Sequence, residues 1–325
     1  MTDSLFDKTG DDPHVAELEA LLGVYAHRAP LRKPPPRRPR WRAPAAAGLV
    51  AAAAALAVFW LWPRGDQRCG TAGAGFTFAV DGGPARCAGG VATRGTLPVG
   101  AWLETSGAAV ASVRVADIGD LTVYGDSRVR LVGTGAAGHH LELARGKVAA
   151  RVVAPPRLFV VDTPGATAVD LGCAYELAVD GDGRTHLRVT SGAVSLEGHG
   201  LVAYAPRDTE VVAAPGRGPG TPVAIAAPAA LRDAVARYDG GDASAVAAIA
   251  AAAELRDTIT LWNLLSRTTG ADRAAVVARL DALSPLPPAI RADDVRAGDA
   301  AAIEAWRDAL DNRWICPECF PGGAP

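Results

Sequence analysis

The stretch Ala43–Trp62, APAAAGLVAAAAALAVFWLW, constrains this chain most: 20 residues without a charge. At about 1.5 Å per residue, a helix of that length spans a hydrocarbon core of about 30 Å. Ten of the 20 are Ala, which partitions almost neutrally, so insertion rests on Leu49, Val50, Leu56, Val58, Phe59 and Leu61. Trp41 precedes the run and Trp60 and Trp62 close it, where interfacial aromatics belong; Pro63 then stops the helix. A cleaved signal peptide fits poorly, because 42 residues come first. A helix buried in a soluble core is the other alternative. Arg28, Arg32, Lys33, Arg37, Arg38, Arg40 and Arg42 all lie on the N-terminal side, with no acid among them. The positive-inside rule therefore predicts a single-pass membrane protein, with residues 1–42 cytoplasmic and everything after 62 on the other side of the membrane. The bilayer is the first expected partner.

The whole chain of 325 residues carries a formal charge of −2, which gives no global attraction to nucleic acid and makes the basic cluster a local feature. All five cysteines (Cys69, Cys87, Cys173, Cys316 and Cys319) fall on the side predicted to be oxidising.

In the tail, Asp12–Arg28 reads as one short helix, with Asp12 as cap and Pro13 in its first turn. Val15, Leu18, Leu22 and Tyr25 form its apolar stripe. Such a helix cannot bury that stripe alone, so these four are the candidate partner-binding residues. Residues 63–96 read as a Gly-rich stem holding Cys69 and Cys87. From 97 to 213, short alternating runs are punctuated by Gly, Asp or Pro, the rhythm of an antiparallel all-β sandwich or roll. His140–Val148 (HLELARGKV) and His186–Val194 (HLRVTSGAV) echo each other and predict two hairpins turning at Gly146 and Gly192. Residues 214–225 read as a linker, 226–315 as a small α-helical domain, and 316–325 as a cysteine-containing tail. The predicted class is thus a mainly β exported domain with one transmembrane helix and a helical C-terminal extension.

Few residue patterns carry chemistry. Cys69 and Cys87 flank a Gly-rich loop and read either as a disulfide or as two thiols in a flexible stem. Cys316 and Cys319 form a lone CxxC, open to a local disulfide, an intermolecular metal or redox use, or free thiols; a structural zinc needs two more ligands. Cys173 reads as a small buried apolar residue or a redox partner. Asp180-Gly-Asp-Gly183 reads as a hairpin turn, since the later carboxylates of a calcium loop are missing. His139, His140, His186 and His199 stand on or beside predicted strands, exposed by default and metal ligands only if brought together. No phosphate loop, nucleophile elbow or paired carboxylates stand out, so no catalytic, cofactor-binding or metal residue is assigned and an enzyme is not expected.

Four stretches, in order, resemble the FecR family, the extracytoplasmic domain of bacterial regulators that act with alternative sigma factors: GDLTVYGDSRVRLVG, HHLELARGKVAARV, RLFVVDTPGATAVDLGCAYELAV and LRVTSGAVSL. The third looks like the family signature, a strand, Thr-Pro, and a strand ending in Leu-Gly-Thr-x-Phe; here Cys173 stands for that Thr and Tyr175 for the Phe. The resemblance covers roughly residues 97–200. It implies a signal transducer or anti-sigma factor, with a sigma factor as partner of the cytoplasmic tail and an envelope protein as partner of the β-domain. An envelope scaffold without a transcriptional role is the alternative.

Overall fold

The computed structural model describes Cys69 and residues 75–315. The transmembrane run, the stripe of Val15, Leu18, Leu22 and Tyr25, and the Cys316–Cys319 tail lie outside these. Among the described residues, no helix is long and apolar enough to cross a membrane.

Two sheets share one core. The first runs β4 (Arg94–Pro98), β1 (Gly75–Asp81), β6 (Val110–Val115), β7 (Gly119–Val123), the second half of β9 (Gly138–Val152), β12 (Ala174–Val179), β13 (Thr185–Ser191) and β16 (Thr209–Ala214). The short β17 (Gly218–Pro219) and β18 (Val223–Ala224) close it. The second runs β3 (Gly90–Ala92), β2 (Ala85–Cys87), β5 (Trp102–Glu104), β8 (Arg128–Gly135), the first half of β9, β10 (Phe159–Asp162), β11 (Thr167–Asp170), β14 (Ala193–Gly198) and β15 (Leu201–Pro206). All pairings are antiparallel except β9 with β10. Phe76, Leu131, Leu141, Leu177, Leu187 and Leu196, drawn from both sheets, sit in one buried cluster.

The expected stem is part of this sandwich from Gly75 onward. GFTFAVD alternates, and Phe76, Phe78 and Val80 reach the core; Gly82, Gly83 and Gly89, all at positive φ, turn the chain between β1, β2 and β3. The expected linker is likewise strand-paired, through β17 and β18.

The two echoing segments are not hairpins but crossings between sheets. In β9, Leu141 and Leu143 face the core, and then Val148, Ala150 and Val152 do. The inward parity changes from odd to even, as it must when a strand leaves one sheet for the opposite one, since the two sheets show the core opposite faces. The shift falls at Gly146, φ 88°. A Cβ there would lie 2.4 Å from the Ser127 Cα. In the second copy Leu187 and Val189 precede Gly192, φ 67°, and Val194 and Leu196 follow it. The echo marked equivalent bends; the turn type was misread because both uses demand a left-handed glycine.

A second core lies under the helices α1 (Ala229–Asp239), α2 (Ala245–Ala252), α3 (Thr258–Leu265), α4 (Gly270–Leu283), α5 (Ala292–Ala297) and α6 (Ala300–Ile315). All eight residues of α3 are buried. This helix docks on the last strand of the second sheet. Asn263 accepts the Tyr204 N–H and donates to the Tyr204 carbonyl, both at 3.1 Å, as a neighbouring strand would. Arg267 donates to the Val202 carbonyl at 3.1 Å. Tyr204 also packs against Trp262 and Trp314, with ring centroids 6.0 and 6.1 Å away. The edge of β15 is thus occupied from within the chain, which removes an adhesive strand edge.

Candidate functional site

Residues 163–179 make a third crossing. β11 ends at Asp170 in the second sheet and β12 begins at Ala174 in the first, with Gly172 between them at φ 91°. Ala168 and Asp170 point inward before the bend; Cys173, Tyr175 and Leu177 do so after it. The inward place at the end of β11 therefore falls to a carboxylate. Asp170 is 2% exposed. Its Oδ1 accepts the Gly172 N–H at 2.7 Å, and its Oδ2 accepts the Cys173 thiol at 2.6 Å. Burial holds the Asp170 carboxyl above its ordinary range, against the pull of those hydrogen bonds. Burial, reinforced by the Asp170 charge, pushes the Cys173 thiol up as well. Both effects favour the protonated thiol over the thiolate. It is buried, but as a hydrogen-bond donor rather than an apolar filler. The buried Tyr175 hydroxyl finds no hydrogen-bond partner among the described residues.

The other built surface is the outer face of the second sheet. At the β15 end the helices cover it; toward β3 it is open. Register places Val91, Arg86, Glu104, Arg128 and Arg145 in one row across β3, β2, β5, β8 and β9. Trp102, Arg130 and Glu142 form the adjoining row. Arg128 and Arg130 lie over the Trp102 ring, 4.1 and 4.9 Å from its centroid. Glu104 pairs with Arg128 at 3.2 Å and with Arg145 at 3.8 Å, and Glu142 pairs with Arg130. A shallow groove of about 320 Å³ opens between Arg86, Gly89, Gly100 and Trp102.

Cys69 and Cys87 are joined, with Cα atoms 5.8 Å apart, and Cys87 is buried in the sandwich core. The histidines stay apart. His139 is buried beside Phe76 and bonds Thr134 through Nδ1 at 2.7 Å. His140 bonds Asp162 at 2.5 Å and His186 bonds Asp180 at 3.2 Å, while His199 stands in the turn after β14. Among the described residues, no three metal-ligating side chains come together. In the Asp180–Gly183 turn, Asp180 Oδ1 accepts the N–H groups of Asp182 and Arg184 at 3.0 and 2.9 Å. Sequence reasoning missed Asp170 and the Arg–Trp rows. Asp170 was findable, because it shares strand parity with Ala168; the rows depend on pairing between distant strands.

Residues 102–195, from β5 into β14, match the family model for FecR protein. Two crystal structures, at 1.65 and 2.50 Å, of a candidate anti-sigma factor from Parabacteroides distasonis are similar to the chain at 16% identity and a TM-score of 0.32. Each match covers 36% of this chain and 56% of that one, so the chain spans little more than half their length. No curated protein matches the chain.

Proposed function

We propose, from the FecR domain that this chain carries, that it is a single-pass inner-membrane signal transducer whose cytoplasmic helix regulates a sigma factor. The carrying observation is the family match over residues 102–195 in a chain that also holds an uncharged run of 20 residues with seven basic residues before it. The extracytoplasmic sandwich would meet an envelope partner, and the apolar stripe of residues 12–28 would enter a groove of the sigma factor.

Two measurements test this. A membrane-impermeant thiol reagent, applied to intact spheroplasts after reduction, should label the cysteines; protection of all five would reject the orientation. Residues 1–42 should capture a sigma factor, and Leu18→Asp with Leu22→Asp should abolish capture. Leaving such a stripe in water forgoes about 1.5–3 kcal/mol per large side chain, so two buried charges cannot be tolerated in the groove. Unchanged capture by the double variant would remove the stripe from the interface. A tail that captures no sigma factor would leave the envelope-scaffold reading in its place.

A further inference from the structure

We propose that the open end of the second sheet's outer face, built on Val91, Arg86, Trp102, Arg128, Arg130 and Arg145, rests on an anionic bilayer surface. The inference extends the membrane reading above. Its first support is charge: four arginines stand against two glutamates, Glu104 and Glu142, in rows made contiguous by strand register. Its second is the kind of apolar group among them. Val91 is 70% exposed on a strand of three residues, directly opposite Arg86. Trp102 lines one groove with Arg86, and Arg128 and Arg130 lie over its ring. Exposed aliphatic tips, an indole and arginines are what a headgroup layer receives, and anionic lipid attracts arginine.

The third support is covalent. The uncharged run ends at Trp62, and Cys69 is bonded to Cys87 on β2, so residues 63–68 are all that joins the run to this end of the sheet. Six residues reach at most about 20 Å. Without the bond the first strand begins at Gly75, and the twelve residues 63–74 could reach about 40 Å. The disulfide therefore selects which end of the sandwich is held near the lipid. At the far end of the same face the helices cover the sheet at Ala193 and Tyr204.

The test uses the full chain in phosphatidylcholine vesicles with and without phosphatidylglycerol. A benzoylphenylalanine photoprobe replaces Val91, or Val212 on the outer face of the first sheet. Lipid adducts from position 91 should exceed those from 212 by at least about five-fold, the contribution of one arginine near a charged surface, and should fall as salt is raised. A probe at Arg86 repeats the measurement should the first variant lose its disulfide. Equal adducts at 91 and 212, or protein adducts in place of lipid at 91, would overturn the inference. Alkaline extraction separates the two readings. A chain that resists extraction but gives no lipid adduct refutes this surface and keeps the anchor; a chain that is extracted refutes the anchor itself.

Discussion

Replacing Cys173 tests whether its thiol works as a donor. The Cys173 Sγ lies 2.6 Å from Asp170 Oδ2, and both residues are buried. Cys173→Ala removes the only side-chain donor that reaches this carboxylate among the described residues. An unsatisfied buried acceptor costs about 1–3 kcal/mol, and the lost sulfur leaves a small cavity worth up to about 1 kcal/mol more. We expect a loss of about 2–4 kcal/mol, a fall in Tm of roughly 5–12 °C for a unit of this size. Cys173→Val, which fills the space without a donor, should fall with it. Cys173→Thr, which brings the residue usual in the FecR signature, supplies a hydroxyl and should stay within about 1 kcal/mol of the parent. Thermal unfolding of the purified chain measures all three. If the Ala and Val variants melt with the parent, Cys173 is an apolar filler after all and the reasoning fails. The same site predicts a pH dependence. Burial raises the Asp170 carboxyl above 3.8, so the unfolded chain loses this proton first. Below that value both states hold the proton and the group contributes nothing. As pH climbs through the window above it, the folded state must ionise a buried group, and stability is lost until the folded carboxyl is also ionised. Asp170→Asn should flatten the fall in Tm across that window; a slope unchanged by the substitution would assign it to other groups.

Gly192→Ala should be among the most damaging single changes, since its Cβ would lie 2.1 Å from the Gly172 carbonyl oxygen at a backbone φ of 67°. A loss above about 3 kcal/mol is expected, and near-parental unfolding would mean that the crossing can be rebuilt. Asn263→Ala strips both backbone bonds from Tyr204 and should cost about 2–4 kcal/mol, with faster amide exchange at Tyr204; an equally protected amide would show that the edge is sealed some other way. Cys69→Ser should destabilise the sandwich by about 3 kcal/mol, from a bond that spans 18 positions, as read by unfolding with and without reductant. Equal stability in both conditions would mean that the bond does not form.

The sequence by itself determined much that is local. Alternation of apolar residues in LELA, YELAV and LRV fixed strands, because parity alone decides which side chains a strand can bury. Order and spacing of four blocks identified the FecR domain, later matched over residues 102–195. Asp, Pro and Gly punctuation found the helical region. Tertiary structure decided everything that depends on which strand meets which. GFTFAVD read as stem because its glycine-rich neighbours hid an alternation that matters only once β4 and β6 flank it. Gly146 and Gly192 were marked as needing a left-handed backbone, yet a hairpin turn and a crossing between sheets make the same local demand; only the opposite sheet distinguishes them. Cys173 could be placed inside from parity, but its role depends on Asp170 being folded against it across Gly172. The row of Val91, Arg86, Glu104, Arg128 and Arg145 joins residues up to 59 positions apart. No periodicity within one segment can announce such a row, because hydrogen-bonded register, set by the whole core, brings the side chains together.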